Sequence, residues 1–157
     1  SGEIATIING LKAGQDLVLS AGEITDDITV PAGVTIRGAN SGVSAASGYR
    51  AQKEVEGETV LKGKLTFNGG GTVKIDGVTL TGNAFPRTGD GETTLEISNT
   101  RIVGLESSDP KAYAISSSGT DVWNSEVILK VEGVYFGENC TSLYNLNELY
   151  TSEWFIY

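Results

Sequence analysis

The sequence predicts an all-β chain of short strands stacked in about six repeated rungs, with one short helix ahead of the first rung. Three observations predict it. The first is a sentence written more than once: Val73-x-Ile75, Asp76-Gly77, Val78-x-Leu80 is answered by Leu95-x-Ile97, Ser98-Asn99, Thr100-x-Ile102. A third copy is Leu129-x-Val131, Glu132-Gly133, Val134-x-Phe136, and an earlier, looser one is Ile28-x-Val30, Pro31-Ala32-Gly33, Val34-x-Ile36. Each copy alternates with period two on both sides of a bend made of turn-forming residues. Ile75 and Ile97 stand 22 residues apart, a solenoid spacing.

The second observation is what lies between the apolar positions. A rung of short strands cannot bury its own inward side chains. Stacking rungs at about 4.8 Å pairs their backbones and joins the Val, Ile and Leu positions into one interior. The intervening residues Lys74, Glu96 and Lys130 then form a row of alternating charge, which stabilises where like charges would repel. The next outward column is read as Thr35, Thr79, Arg101 and Tyr135. The third observation is composition: 21 glycines against 3 prolines suit a fold of many tight bends.

Along the chain, Ile4, Ile7, Ile8 and Leu11 recur at helical spacing, with Gly10 near the end, and residues 1–14 read as a cap on the open apolar end. Residues 15–140 carry the rungs, beginning with Asp16 to Leu19, a turn at Ala21-Gly22, and Glu23 to Thr25. Two excursions interrupt them. Residues 39–58 are small, polar and aperiodic, and read as a loop leaving the stack. Residues 104–125 enclose a candidate strand, Ala112 to Ile115. Such loops either carry function or are tolerated insertions, and the sequence leaves both readings open.

Residues 141–157 change character. Tyr144, Tyr150, Trp154, Phe155 and Tyr157 fall in the most aromatic stretch of the chain. Two readings stand: a C-terminal cap over the last rung, or a self-association surface, since aromatic residues are enriched at interfaces.

The run Leu11 to Thr25, followed by Ile28 to Gly38, resembles the opening of pectate-lyase-like right-handed parallel β-helices, and Leu65 to Gly82 is similar to that family's middle rungs. The likeness spans residues 4 to about 139. It implies a right-handed coil, in line with the general handedness of parallel crossovers. It does not imply one activity, because the family includes polysaccharide lyases, glycoside hydrolases, adhesins and viral spikes.

The chemistry is sparse. Histidine is absent, which removes the usual general base, and the single Cys140 allows neither an internal disulfide nor an ordinary zinc site. Hydrolases of the resembled family use clustered aspartates, a histidine and Arg-x-Lys; here Arg101 is followed by Ile102-Val103. A lyase needs a calcium site, and Asp76, Glu96 and Glu132, read as outward on successive rungs, make a poor cage for an ion wanting six to eight oxygens. Gly57-x5-Gly63-Lys64-Leu65 is not a phosphate loop. No cofactor is expected. A net charge of −9 disfavours nucleic acid as a partner, and no apolar run approaches a membrane span.

The expectation is a non-catalytic structural or attachment module, a phage virion appendage or decoration protein or a bacterial surface protein. Its place would be the virion or the cell exterior. Its partner would be a larger protein assembly or a cell-surface glycan, with a homotrimer implied by the viral relatives. The alternative is a protein that binds or cleaves an acidic polysaccharide. The expected interior is Ile28, Val30, Val34, Ile36, Val73, Ile75, Val78, Leu80, Leu95, Ile97, Ile102, Leu129, Val131, Val134 and Phe136.

Overall fold

A computed structural model of the protein describes residues 2–52, 56–63, 65–68, 70–81, 87–88, 93–103, 113–116, 127–137, 142–145 and 152–156. Among them the chain is β-rich, with one short α-helix and with parallel sheets that do not close into a barrel. The helix α1 (Glu3–Asn9) precedes β1 (Asp16–Val18), β2 (Gly22–Ile24), β3 (Ile28–Val30) and β4 (Thr35–Arg37). A 3-10 turn, Gly48–Ala51, leads to β5 (Thr59–Leu61), β6 (Leu65–Asn68), β7 (Thr72–Asp76), β8 (Thr79–Leu80) and β9 (Arg87–Thr88). Then follow β10 (Thr93–Ser98), β11 (Arg101–Ile102), β12 (Tyr113–Ser116), β13 (Val127–Glu132), β14 (Tyr135–Phe136), β15 (Ser142–Asn145) and β16 (Ser152–Ile156).

Every sheet takes every third strand. One has the order β1-β4-β7-β10-β13-β16, a second β2-β5-β8-β11-β14, a third β3-β6-β9, and β12 pairs with β15. The repeated apolar positions fix the register, because a slip of one residue would turn an inward row to solvent. In the six-stranded sheet Leu17, Ile36, Ile75, Ile97, Val131 and Ile156 stand in one row. Between this sheet and the five-stranded one, the bends put Gly77, Asn99 and Gly133 at positive φ (77°, 51° and 62°). The Asp-Gly, Ser-Asn and Glu-Gly pairs of the repeat are these bends.

The early copy needs correction. Ile28-x-Val30 and Val34-x-Ile36 match the later copies in sequence, but they do not flank the same bend. Thr35 pairs with Lys74 and Ile36 with Ile75, so Val34-x-Ile36 is the counterpart of Val73-x-Ile75, not of Val78-x-Leu80. The first arm, β3, pairs with β6 instead, setting Ile28 opposite Leu65 and Val30 opposite Phe67. Both junctions join period-two arms through a short bend, so the pattern alone does not tell one corner from the other.

That error explains why Leu65 and Phe67, opposite Ile28 and Val30, are missing from the expected interior, which also omits Leu19 and Leu61. Leu61, Leu65 and Phe67 are buried with Ile28, Val30, Val34, Ile36, Val73, Ile75, Val78, Leu80, Leu95, Ile97, Ile102 and Val131. Val134 and Phe136 are partly buried against this cluster, and the Leu129 side chain lies outside the described ones. Each fully buried Ile or Val contributes about 1.5–3 kcal/mol over an exposed one.

The helix is shorter than its apolar spacing predicts, ending at Asn9 ahead of Gly10. Ile8 is fully buried, Ile4 and Leu11 pack on the core, and Ile7 remains about half exposed (49%). Seven residues are too few for a stable isolated helix, so packing and capping decide it. The cap comes from far away. Asp26 accepts hydrogen bonds from the amides of Gly2 (3.1 Å) and Ala5 (3.0 Å), at the positive end of the helix. The Ala5 and Gly2 amides hold the Asp26 carboxyl below its ordinary range. Its support is therefore present above the ordinary carboxylate pKa and is lost as pH falls through the lower folded value. Asp26→Ala should lower the melting temperature at neutral pH and lose amide protection at Ala5 and Thr6. In strongly acidic buffer the two proteins should melt together; equal melting at neutral pH would refute the cap.

Candidate functional site

Two regions collect the polar chemistry of the described residues: the outer face of the six-stranded sheet, and residues 39–52 with Glu58, where they cover the five-stranded one. On the first, Lys74 and Lys130 stand in register on either side of Glu96. Their ammonium groups lie 3.6 and 3.7 Å from the Glu96 carboxylate, which is the alternating row the sequence predicts. A second row runs Val18, Arg37, Asp76, Ser98, Glu132. Here Arg37 donates to Asp16 on β1 (2.9 Å) and to Asp76 on β7 (3.1 Å). Exposed pairs such as Lys74–Glu96 contribute only about 0.2–1 kcal/mol each, but their reversal is costly. Glu96→Lys would stack three cations across adjacent strands. Chemical denaturation should show a loss of about 1–2 kcal/mol that shrinks in high salt.

Asp76 is not the outward carboxylate that the sequence reading supposes. It is nearly buried and accepts from the Ser41 hydroxyl (2.5 Å), the Asn99 side-chain amide (2.8 Å), the Gly42 amide (3.3 Å) and Arg37. Burial alone would push its carboxyl up; these donors outweigh burial and hold it below the usual range. Four donors on two oxygens leave Asp76 no face for a cation.

The outward column read from the sequence also divides. Thr35 belongs to the Lys74 row. Thr79, Arg101 and Tyr135 do share a row of the five-stranded sheet, but Thr79 and Arg101 are buried. Their cover is the excursion. Instead of leaving the stack, residues 39–52 lie down along its bends: the Asn40 amide donates to Gly77 O (3.2 Å) and the Ala45 amide to Gly133 O (2.9 Å). Gly77 is required here. A Cβ on it would strike the backbone of Asn40 and Ser41, and its φ of +77° already disfavours other residues.

Arg50 locks this segment down. Its side chain is fully buried, with Nε donating to Glu58 Oε2 (3.0 Å) and Nη2 to Glu58 Oε1 (2.8 Å). The same guanidinium donates to the carbonyls of Asn99 (2.7 Å), Val78 (3.4 Å) and Val43, spanning two successive bends and the segment itself. Glu58 accepts further from Asn40 (2.6 Å) and from the Thr79 hydroxyl (2.7 Å). Burial would raise the Glu58 carboxyl, but hydrogen bonds from Arg50 and Thr79 and the charges of Arg50 and Arg101 prevail and hold it low. Burial pushes the Arg101 guanidinium down, with the Glu58 charge opposing. Arg101 also donates to Gln52 O and sits 6.0 Å from the centre of the Tyr135 ring. The arrangement is a bidentate ion pair whose two side chains are almost wholly covered, and it holds the segment in place.

Of the residues expected at an interface, Tyr144 lies in β15, and Trp154 and Phe155 lie in β16. β16 joins the six-stranded sheet, placing Trp154 opposite Leu129 and Phe155 opposite Lys130 in register. Tyr150 and Tyr157 lie outside the described residues, as do Cys140 and most of the excursion at 104–125. Sequence reasoning missed Arg50, Glu58 and Asn40. The only trace is Arg50 followed by Lys53, Glu54, Glu56 and Glu58 in a stretch otherwise rich in Gly, Ser and Ala, and a solvated loop explains such charges as well.

The chain matches no family model, no curated protein and no solved structure. Among the described residues no three acidic, histidine or cysteine side chains gather to hold a metal ion, and no helix is long and apolar enough to cross a membrane.

Proposed function

We propose that the chain is a right-handed parallel β-helix of the pectate-lyase-like kind, serving as a non-catalytic structural or attachment module. Sheets built from every third strand support the fold reading, since a coil of three strands per rung would produce that order. The use made of charge carries the functional reading. On the broad face the ionisable groups pair with one another across strands, and beneath residues 39–52 they are sealed. A polysaccharide-cleaving site needs carboxylates and a base aimed at an open cleft, whereas a stacked scaffold needs charges that hold its register. The setting proposed for such a module is a virion or a cell surface, where it would bear on a larger assembly or on a surface glycan.

Incubation with polyuronates and calcium, followed by absorbance of unsaturated products, tests this directly. The expected result is no turnover, and clear turnover would move the protein into the polysaccharide-active class. Self-association is tested by sedimentation across a range of concentrations. A trimer that Trp154→Ala with Tyr157→Ala dissociates without unfolding would assign the aromatic end to an interface; a monomer throughout would remove self-association from the proposal.

A further inference from the structure

We propose that residues 39–52 form a strap that opens as a unit from the intact sheets, leaving Glu58 behind on them, and uncovers the Thr79–Arg101 face of the five-stranded sheet. The observation behind it is an imbalance in how the strap is attached. Among residues 39–52 only Asn40, Ala45 and Arg50 are buried, and Ala45 is the one buried apolar side chain. Val43 and Tyr49 face solvent, 42% and 54% exposed. Almost nothing hydrophobic holds the strap. Its attachment is a set of polar anchors: Arg50 with Glu58 and the Asn99 and Val78 carbonyls, Asn40 with Glu58 and Gly77 O, Ser41 and Gly42 on Asp76, the Ala45 amide on Gly133 O, the Ala39 amide on the Thr59 hydroxyl, and Arg101 on Gln52 O.

The sheets beneath are held differently, by continuous apolar rows and by backbone pairing along every strand. Segments with few buried apolar contacts open with less free energy than the core they rest on. The anchors also depend on one another. Losing Arg50 from its pocket releases Glu58, the Asn99 and Val78 carbonyls and the Val43 carbonyl together, so partial detachment leaves buried groups without partners. Release should therefore be all-or-none. The exposed face would present the guanidinium of Arg101 and the hydroxyl of Thr79, both covered in the closed form.

Native-state amide exchange, followed residue by residue over low guanidinium concentrations, tests the strap in the unmodified protein. The amides of Asn40 and Ala45, bonded to Gly77 O and Gly133 O, report on it; those of Lys74 and Arg101, bonded to Val34 O and Val78 O, report on the sheets. The expected result is one shared opening for Asn40 and Ala45, with weaker denaturant dependence than the sheet amides. In Arg50→Met, exchange at Asn40 and Ala45 should rise about 10- to 100-fold while Lys74 and Arg101 hold their rates. Equal opening of all four amides in the unmodified protein would overturn the proposal, as would unchanged strap exchange in a folded Arg50→Met. If Arg50→Met does not fold, the unmodified protein decides alone.

Discussion

Ile75→Asp is expected to yield a chain without a cooperative unfolding transition. Ile75 is fully buried on β7, with Ile36 of β4 and Ile97 of β10 beside it in the same row. A carboxylate there has no donor in reach of the row, and burying an unpaired charge costs several kcal/mol even after relaxation. The isoleucine's own packing is lost as well, about 2–5 kcal/mol by analogy with truncation to alanine. A domain of this size has about 5–15 kcal/mol in total, so the sum removes most or all of it. The same exchange one residue away, Lys74→Asp, faces solvent and should cost about 1–2 kcal/mol through the Glu96 contact. Far-UV circular dichroism on heating distinguishes them: a broad, sloping trace for Ile75→Asp against a sigmoid for Lys74→Asp. A sharp transition in Ile75→Asp would mean that the inward row is misassigned.

That contrast shows why so much of the fold was legible. Period-two alternation states which face of a strand is buried, and Val73, Ile75, Leu95, Ile97 and Val131 are buried as their alternation requires. The charge row Lys74–Glu96–Lys130 followed from the same alignment. Corners are less legible, because a Pro-Ala-Gly bend and an Asp-Gly bend both join two period-two arms, and only pairing shows that Ile36 lies beside Ile75. The polar anchors were illegible for a further reason. Asp76 looks outward from its place in β7, and it is covered only because Ser41 and Gly42 return to it from 35 and 34 residues away. Arg50 and Glu58 show no periodicity that a pattern could find. Their burial is a property of where the segment lands, on the bends at Val78 and Asn99.

Glu58→Ala is the second large effect expected. It leaves the Arg50 guanidinium, whose side chain has no exposure, without its counter-charge, and it strips an acceptor from Asn40 and Thr79. Breaking one side of such a pair costs about 3–5 kcal/mol, far more than the net worth of the intact pair. The double replacement Arg50→Met with Glu58→Leu removes both charges together. It should therefore be less damaging than the sum of the singles, with a coupling of about 0.5–3 kcal/mol in chemical denaturation. The Glu58 carboxyl is held low in the folded protein, so its contribution is present above the ordinary carboxylate pKa and is lost as pH falls through the folded value. The gap between the unmodified protein and Glu58→Ala should accordingly close only in strong acid. An opening strap sets a ceiling on all of these losses. Once the strap is off, Arg50 is back in water, and no further damage to its anchors can lower the stability of the sheets. Adding Asp76→Asn to Glu58→Ala should then cost less than Asp76→Asn alone, because the Ser41 and Gly42 anchors are already released and only the Arg37 and Asn99 contacts remain to be weakened. Full additivity of the two changes would show instead that strap and sheets unfold as one.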